Sequence, residues 1–290
     1  MEQRSFESRA GGTLYLVPTP IGNLEDMTFR AIRHLKEADL ILAEDTRNTI
    51  KLLNHFEIET PMQSFHEHSQ ADRLQPLLER LAQGQDLALV SDAGMPLIND
   101  PGHPLVDAAL SQGLAVVALP GANAALTALI ASGLSCQTFT YYGFFPRDKK
   151  GQVAVLDLVA GQEATAIFYE SPHRIKQALQ AIRQELGPDR AVVIARELTK
   201  RYETYIRGSV HQVLISLADQ EIKGECVLLV AGGGKVETGP ELTAETDLKV
   251  LVQDLMAQEG LNSKQAIKQV AKTYGLKKQS VYQAYHDLID

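Results

Sequence analysis

Four short apolar runs punctuate the first 120 residues: Leu14 to Val17, Leu40 to Ala43, Leu87 to Val90 and Ala115 to Leu119. Each is bounded by turn chemistry, the pattern of strands buried on both faces. Between them apolar residues recur at helical spacing. Asn23 caps Leu24, Met27, Ala31, Leu35 and Ala38, with Glu25 and Asp26 in the first turn, and further helices are predicted at about 69–83 and 103–112. Such alternation predicts an α/β fold with a parallel sheet. After Pro120-Gly121 the pattern changes. Asn123 opens the helix AALTALIAS, closed by Gly133; TFTYYGFF is β-rich; RDKKG reads as a basic turn. Ala166 to Tyr169 is a strand, and Ser171 with Pro172 signals a helix whose inner face is Ile175, Leu179, Ile182 and Leu186. Two more strands, AVVIA and CVLLVAGG, are separated by RELTKRYETYIRGS and a short helix. The predicted organisation is a disordered tail at 1–11, an α/β domain at 12–120 and a mixed α+β domain at 121–235. A linker at 236–243 and a helix-turn-helix-like unit at 244–290 follow.

The loops PTPIGN, EDTRNT, SDAGMP and PGAN all follow strands. In a parallel sheet they gather at the carboxyl edge, where ligands bind. None is a GxGxxG or GxxxxGK[ST] phosphate cradle, so a dinucleotide or nucleoside triphosphate lacks its physical requirement. A phosphate-free ligand with an amino-acid head and an apolar or aromatic body fits instead, and S-adenosylmethionine has that chemistry.

Composition narrows the picture. The net charge of -8 argues against wholesale coating of nucleic acid but leaves room for a local basic patch. Lys264, Lys268 and Lys272 form one stripe in a segment, Leu261 to His286, that holds five lysines and no acid. That stripe reads equally as a solvated face or an RNA-phosphate contact. Cys136 and Cys226 form no zinc or CxxC spacing and fit a reducing, cytoplasmic compartment. The tail has no apolar leader, and the uncharged stretch from Ala108 to Pro146 is cut by Pro120, Gly121 and Asn123, so no membrane span is expected. His66 and His68 are the sole metal-like spacing, too few for a site, and are read as RNA contacts or proton acceptors.

Seven blocks occur in order: YLVPTPIGNLEDMTFRA, LILAEDTR, LVSDAGMPLINDPG, ALPGANAALTALIASGL, FYESPHR, ARELTK and GECVLLV. Over about 12–235 the chain resembles the bacterial small-subunit ribosomal RNA methyltransferase I family of the tetrapyrrole methylase superfamily. The resemblance implies two α/β lobes with S-adenosylmethionine between them, usually in a homodimer. It also implies 2'-O-methylation of a cytidine in the 16S rRNA decoding centre. Carried over, Pro20 lies in the first cofactor loop, Ser91, Asp92 and Ala93 at the methionine end, and Ala122 beside the cofactor. Phe168, Tyr169, Ala195, Arg196, Gly224 and Glu225 approach from the second lobe. Met95 stands where the family often has threonine, and no GxGPG loop of the tetrapyrrole-modifying relatives occurs.

Methyl transfer to a hydroxyl needs a proton acceptor. Asp45 is the first choice, with Glu170 and Lys200 behind it. Asp92 and Asp100 also read as simple turn residues, Glu44, Asp45 and Arg47 as a helix cap with a local ion pair, and Glu170 as an acid beside a cap. Glu44, Arg47, Arg147, Lys149, Lys150 and Arg174 are expected to hold RNA, together with the histidines and the lysine stripe. Two rival readings are a small-molecule tetrapyrrole methyltransferase and a non-catalytic rRNA-binding factor.

Overall fold

Leu14, Leu40, Leu42, Leu87 and Leu89 fall in one buried cluster, and Val17, Ile41, Ala43, Ala88 and Val90 in another. This alternation is what a sheet covered on both faces requires. The computed structural model describes residues 3, 11–66, 70–233, 247–274, 276 and 278–286. In the first lobe, β1 (Thr13–Val17), β2 (Leu40–Ala43), β3 (Met62–Ser64), β4 (Leu87–Val90) and β5 (Ala115–Ala118) pair in the order β3-β2-β4-β1-β5, all parallel. Helices α1 (Phe29–Glu37), α2 (Thr46–His55), α3 (Gln70–Ala82) and α4 (His103–Ser111) connect them.

Helix α5 (Ala124–Ser132) leads into the second lobe, capped by the Asn123 side chain and closed by Gly133 in the left-handed conformation. There β6 (Phe139–Phe144), β7 (Thr165–Glu170), β8 (Ala191–Arg196), β9 (Thr204–Ser209) and β10 (Cys226–Val230) form a mixed sheet, ordered β6-β7-β10-β8-β9. β6 and β7 are parallel and the other pairs antiparallel. α5 packs on one face. α6 (Lys149–Ala160), α7 (Ile175–Leu186) and α8 (Val210–Ser216) supply the cluster on the other.

A third unit of α9 (Leu248–Glu259), α10 (Ser263–Thr273) and α11 (Lys278–Tyr285) has its own core of Val252, Ala266, Ile267, Val270, Ala271 and Val281. Lys264 and Lys268 are exposed on α10. Lys272 lies in the same helix. Among the described residues no helix is long and apolar enough to cross a membrane. The expected linker, 236–243, lies outside the described residues, as does most of the expected tail. Gln3 is described, and its side chain bonds both backbone groups of Val116 on the edge strand β5.

The structure corrects several local expectations. Asn23 caps only a single 3-10 turn, Leu24–Asp26, and Thr28 caps α1 separately. EDTRNT runs from a loop into a helix, in line with the cap and ion-pair reading of Asp45 and Arg47: Asp45 caps α2 and pairs with Arg47. RDKKG opens α6, capped by Asp148, so Lys149 and Lys150 lie in a helical first turn. Ser171 begins a turn rather than capping α7: its carbonyl accepts from the Arg174 and Ile175 N–H groups, and the helix starts at Ile175.

Candidate active site

The post-strand loops of the first lobe are tied together at the sheet's carboxyl edge. Thr19 and Gly94 exchange backbone hydrogen bonds of 2.9 and 3.0 Å, which joins the loops after β1 and β4. The carboxylate of Asp92 accepts from the Asp45 backbone N–H and from Asn48 Nδ2, at 3.2 and 3.1 Å, which joins β4 to α2. The loop after β4 bends through Gly94, Leu97, Asn99 and Gly102, all at positive φ. Leu97 is strained there, because a bulky side chain is disfavoured in the left-handed region, whereas asparagine tolerates it. Opposite, the β8–β9 turn holds Glu197 and Thr199 at φ 52 and 65. Four of the five non-glycine residues at positive φ among those described thus lie on these two loops.

Between the lobes lies a cleft of about 500 Å³. The first lobe contributes Asp92, Ala93, Gly94 and Asp100, and the second Tyr169, Ala195, Glu225 and Val227. Tyr169 stands edge-on to both Tyr141 and Phe144, with ring centroids 5.2 and 5.9 Å away. The Tyr141 hydroxyl donates to Asn99 Oδ1 at 2.8 Å, fastening this aromatic wall to the β4 loop. Alternation along β7 puts Phe168 on the other side of the sheet, where it is fully buried against Tyr142 and Phe145.

Charge is unevenly spread. The cleft is lined by Asp92, Asp100, Glu170 and Glu225, and by no lysine or arginine among the described residues. Burial raises Asp100 to about 6, aided by Glu44 and Asp92 and opposed by Ser91. Glu44 is raised for similar reasons, burial first and then Asp92 and Asp45. A cation in the cleft would relieve both strains. Asp45 is different: the Arg47 guanidinium grips its carboxylate at 3.0 and 2.6 Å and holds it down to about 2. Lys200 Nζ sits 3.0 Å from Glu197 and 3.1 Å from Glu225. Burial works against its charge, but the two carboxylates outweigh that and keep it above the ordinary lysine range. Glu170 is 3% exposed; burial raises it, against a hydrogen bond from the Ser171 N–H and an Arg174 guanidinium 3.4 Å away.

The tetrapyrrole (corrin/porphyrin) methylase family matches residues 13–214. The sequence is 52% identical over 287 residues to ribosomal RNA small subunit methyltransferase I of Streptococcus pyogenes serotype M3, covering 99% of both chains. It is 47% identical over 291 residues to the protein of that name in Bacillus subtilis, covering 98% of both. The chain belongs to the ribosomal RNA small subunit methyltransferase I family. Solved structures agree on the fold. A diphthine synthase superposes with a TM-score of 0.59 at 15% identity, covering 76% of this chain and 90% of that one. A uroporphyrin-III-C-methyltransferase from Thermus thermophilus gives 0.51 at 18%, covering 77% and 93%.

Of the cofactor residues expected from the methyltransferase I family, Asp92, Ala93, Tyr169, Ala195 and Glu225 line the cleft. The Ala122 carbonyl lies at its edge, 3.5 Å from where a Cβ on Gly94 would sit. Pro20 and Ser91 line a neighbouring cavity instead. Arg196 donates to the Lys223 carbonyl and Thr204 Oγ1, which ties β8 to its neighbours. Gly224 sits at φ 83, a left-handed conformation that favours glycine, against the Glu197 side chain.

Among expected RNA contacts, Arg147, Lys149 and Lys150 are exposed together around the start of α6, just past the cleft residue Phe144. Arg174 instead donates to the carbonyls of Phe145 and Pro146. His66 is exposed, and His68 lies outside the described residues. Asp100, weighed in the sequence both as a turn residue and as part of a ligand loop, lines the cleft, and so does Asn99, which the sequence did not single out. The signal available was the pair of prolines and glycines around INDPG, which marks a loop but not its direction.

The Asp45 geometry carries a prediction. Asp45→Asn keeps an acceptor for the α2 cap, and turnover is expected to stay within about threefold. A loss of about 10²-fold with cofactor binding intact, in a single-turnover assay, would give Asp45 the general-base role instead.

Proposed function

We propose that the protein transfers a methyl group from S-adenosylmethionine to the ribose 2'-oxygen of a cytidine in 16S rRNA of the small ribosomal subunit, in the cytoplasm. The observation that carries this reading is the cleft itself: acidic, free of lysine and arginine among its described lining residues, and walled by aromatic rings. It occurs in a chain half-identical to proteins named for methylating small-subunit rRNA. When bound, S-adenosylmethionine supplies an electrophilic methyl group on a sulfonium.

The residues present fit that cofactor. Asp100 offers an acceptor for an ammonium, Ala93, Gly94 and Ala195 leave the backbone open to close approach, and Tyr169 with Phe144 flanks a planar group. The enzyme's further tasks are to align the hydroxyl and receive its proton. Lys200 is held protonated and Asp45 is held by Arg47, so neither is poised as the base. One Glu170 oxygen accepts from the Ser171 N–H; the other is buried, with no hydrogen-bond partner among the described residues and the Arg174 guanidinium 3.4 Å away. Asp92 also accepts two hydrogen bonds, from the Asp45 N–H and Asn48 Nδ2, but unlike Glu170 it is exposed and shared by the cleft and the neighbouring cavity, so it is the carboxylate we assign to take the proton. Arg147, Lys149 and Lys150 on the second lobe, and Lys264 and Lys268 on the third unit, present cations for flanking phosphates.

The test is transfer of tritiated methyl from S-adenosylmethionine onto undermodified small subunits, with free 16S rRNA and a porphyrinoid as parallel acceptors. Label in one ribonucleotide whose 3' linkage resists alkaline hydrolysis is the expected result, because that linkage breaks through the free 2'-hydroxyl. Label on a base or on the porphyrinoid would overturn the assignment. Cofactor binding without transfer to any acceptor would support a non-catalytic rRNA-binding factor.

A further inference from the structure

A second, smaller cavity of about 230 Å³ opens beside the cleft and is lined only by first-lobe residues. Asp92 is the residue common to both cavities. Its walls are set. Thr19, Thr49 and Ser91 are 2–4% exposed, and their hydroxyls are spent on the carbonyls of Ser91, Asp45 and Gly94. The polar side chains left for a ligand are Asn48, Lys51 and Asp92, around apolar Pro20, Leu24 and Leu52. Asn48 Nδ2 already steadies Asp92, which leaves its amide oxygen to accept.

Size and charge separate the two cavities. About 230 Å³ is below the roughly 300–1,000 Å³ of pockets that enclose a whole small ligand, whereas about 500 Å³ lies within it. The lining of the cleft carries four acids and no lysine or arginine among the described residues; the smaller cavity carries Lys51 with Asp92. A cationic cofactor therefore belongs in the first. An anionic, partly apolar fragment belongs in the second. A nucleotide lifted from its stack is such a fragment, with a flat face for apolar side chains and a phosphate for an ammonium.

We propose that this cavity seats the acceptor nucleotide, its base against Pro20, Leu24 and Leu52, its phosphate at Lys51, and its sugar at Asp92, facing the cleft. The inference rests on the RNA-methyltransferase reading above and gives that site a substrate side distinct from its cofactor side.

Two substitutions in the full chain test it, Lys51→Glu and Leu52→Trp. Each is measured for kcat and KM on undermodified small subunits, for subunit binding by co-sedimentation, and for S-adenosylmethionine affinity by calorimetry. Lys51→Glu is expected to raise KM and weaken subunit binding by about 10-fold or more, as loss of a charge-assisted contact does. Leu52→Trp fills the cavity and is expected to lower kcat/KM by about 100-fold. Cofactor affinity should stay within about twofold in both, since neither residue lines the cleft. Should Leu52→Trp misfold, Lys51→Glu decides alone. An active wild type with both variants unchanged toward subunits, or variants that lose cofactor in parallel, would overturn the assignment alone. A wild type that holds cofactor but neither binds nor methylates subunits would overturn the functional reading and this assignment with it.

Discussion

Asp100→Asn is expected to make the ligand-free protein more stable at neutral pH and to cost it most of its cofactor affinity. The two effects share one cause. Burial and the charges of Glu44 and Asp92 lift Asp100 to about 6 from an ordinary 3.8. Its folded state therefore binds a proton more readily than its unfolded state. The penalty is absent well below pH 4, builds between about pH 4 and pH 6, and is complete at pH 7. A shift of this size corresponds to about 1–3 kcal/mol, which asparagine removes. Urea unfolding of the two proteins at pH 7 and pH 4 should show the gain chiefly at the higher pH. The same substitution deletes an anionic acceptor facing the cleft, and affinity for S-adenosylmethionine should fall about 10–100-fold by calorimetry. In the wild type, affinity should decline as pH drops through 6, because the acceptor is then protonated. A variant with undiminished affinity would place the cofactor's positive charge elsewhere.

Arg174→Ala should be the most destabilising substitution among the expected site residues. It removes the counterion of Glu170, whose side chain is 1% exposed, and strips two donors from the carbonyls of Phe145 and Pro146. Breaking a buried pair from one side costs about 3–5 kcal/mol; the lower figure applies, because Arg174 remains 26% exposed. Glu170→Gln, by contrast, leaves Arg174 its carbonyl partners and spares the cost of a buried charge. It is expected to change stability by less than about 1 kcal/mol and to leave kcat within about threefold. Loss of about 10²-fold in kcat from Glu170→Gln, with normal unfolding, would make Glu170 a catalytic residue rather than a clasp on the turn after β6.

The buried strands were readable because a strand covered on both faces needs an unbroken apolar run, and LILA, LALV, AVVIA and CVLLV supply it. Helices that begin inside functional loops were not. Asp45, Thr46, Arg47 and Asn48 are turn formers as readily as helix starters, and only the Asp45 cap on the Arg47 N–H decides between them. At α6 the lysines oppose the usual first-turn charge preference, so the segment reads as a loop until Asp148 is seen to accept from Gly151. The cleft was half legible. That loops gather at a sheet edge follows from topology, but which residues of a loop turn inward depends on strained bends. Asp100 comes into the cleft after left-handed turns at Asn99, which tolerates them, and at Leu97, which no propensity favours. Phe168 and Tyr169 are a matter of strand parity, and a one-residue choice sends one ring to the core and the other to the cleft.

β10 is the last strand of its sheet to be synthesised, yet it is hydrogen-bonded between β7 and β8. A nascent chain that has released residues up to about 220 holds β7 and β8 with no bond between them, and lacks Glu225 and Val227 from the cleft wall. The cleft is thus left incomplete until nearly all of both lobes has left the exit tunnel, and a transcript cut short before Cys226 yields a product with a split sheet.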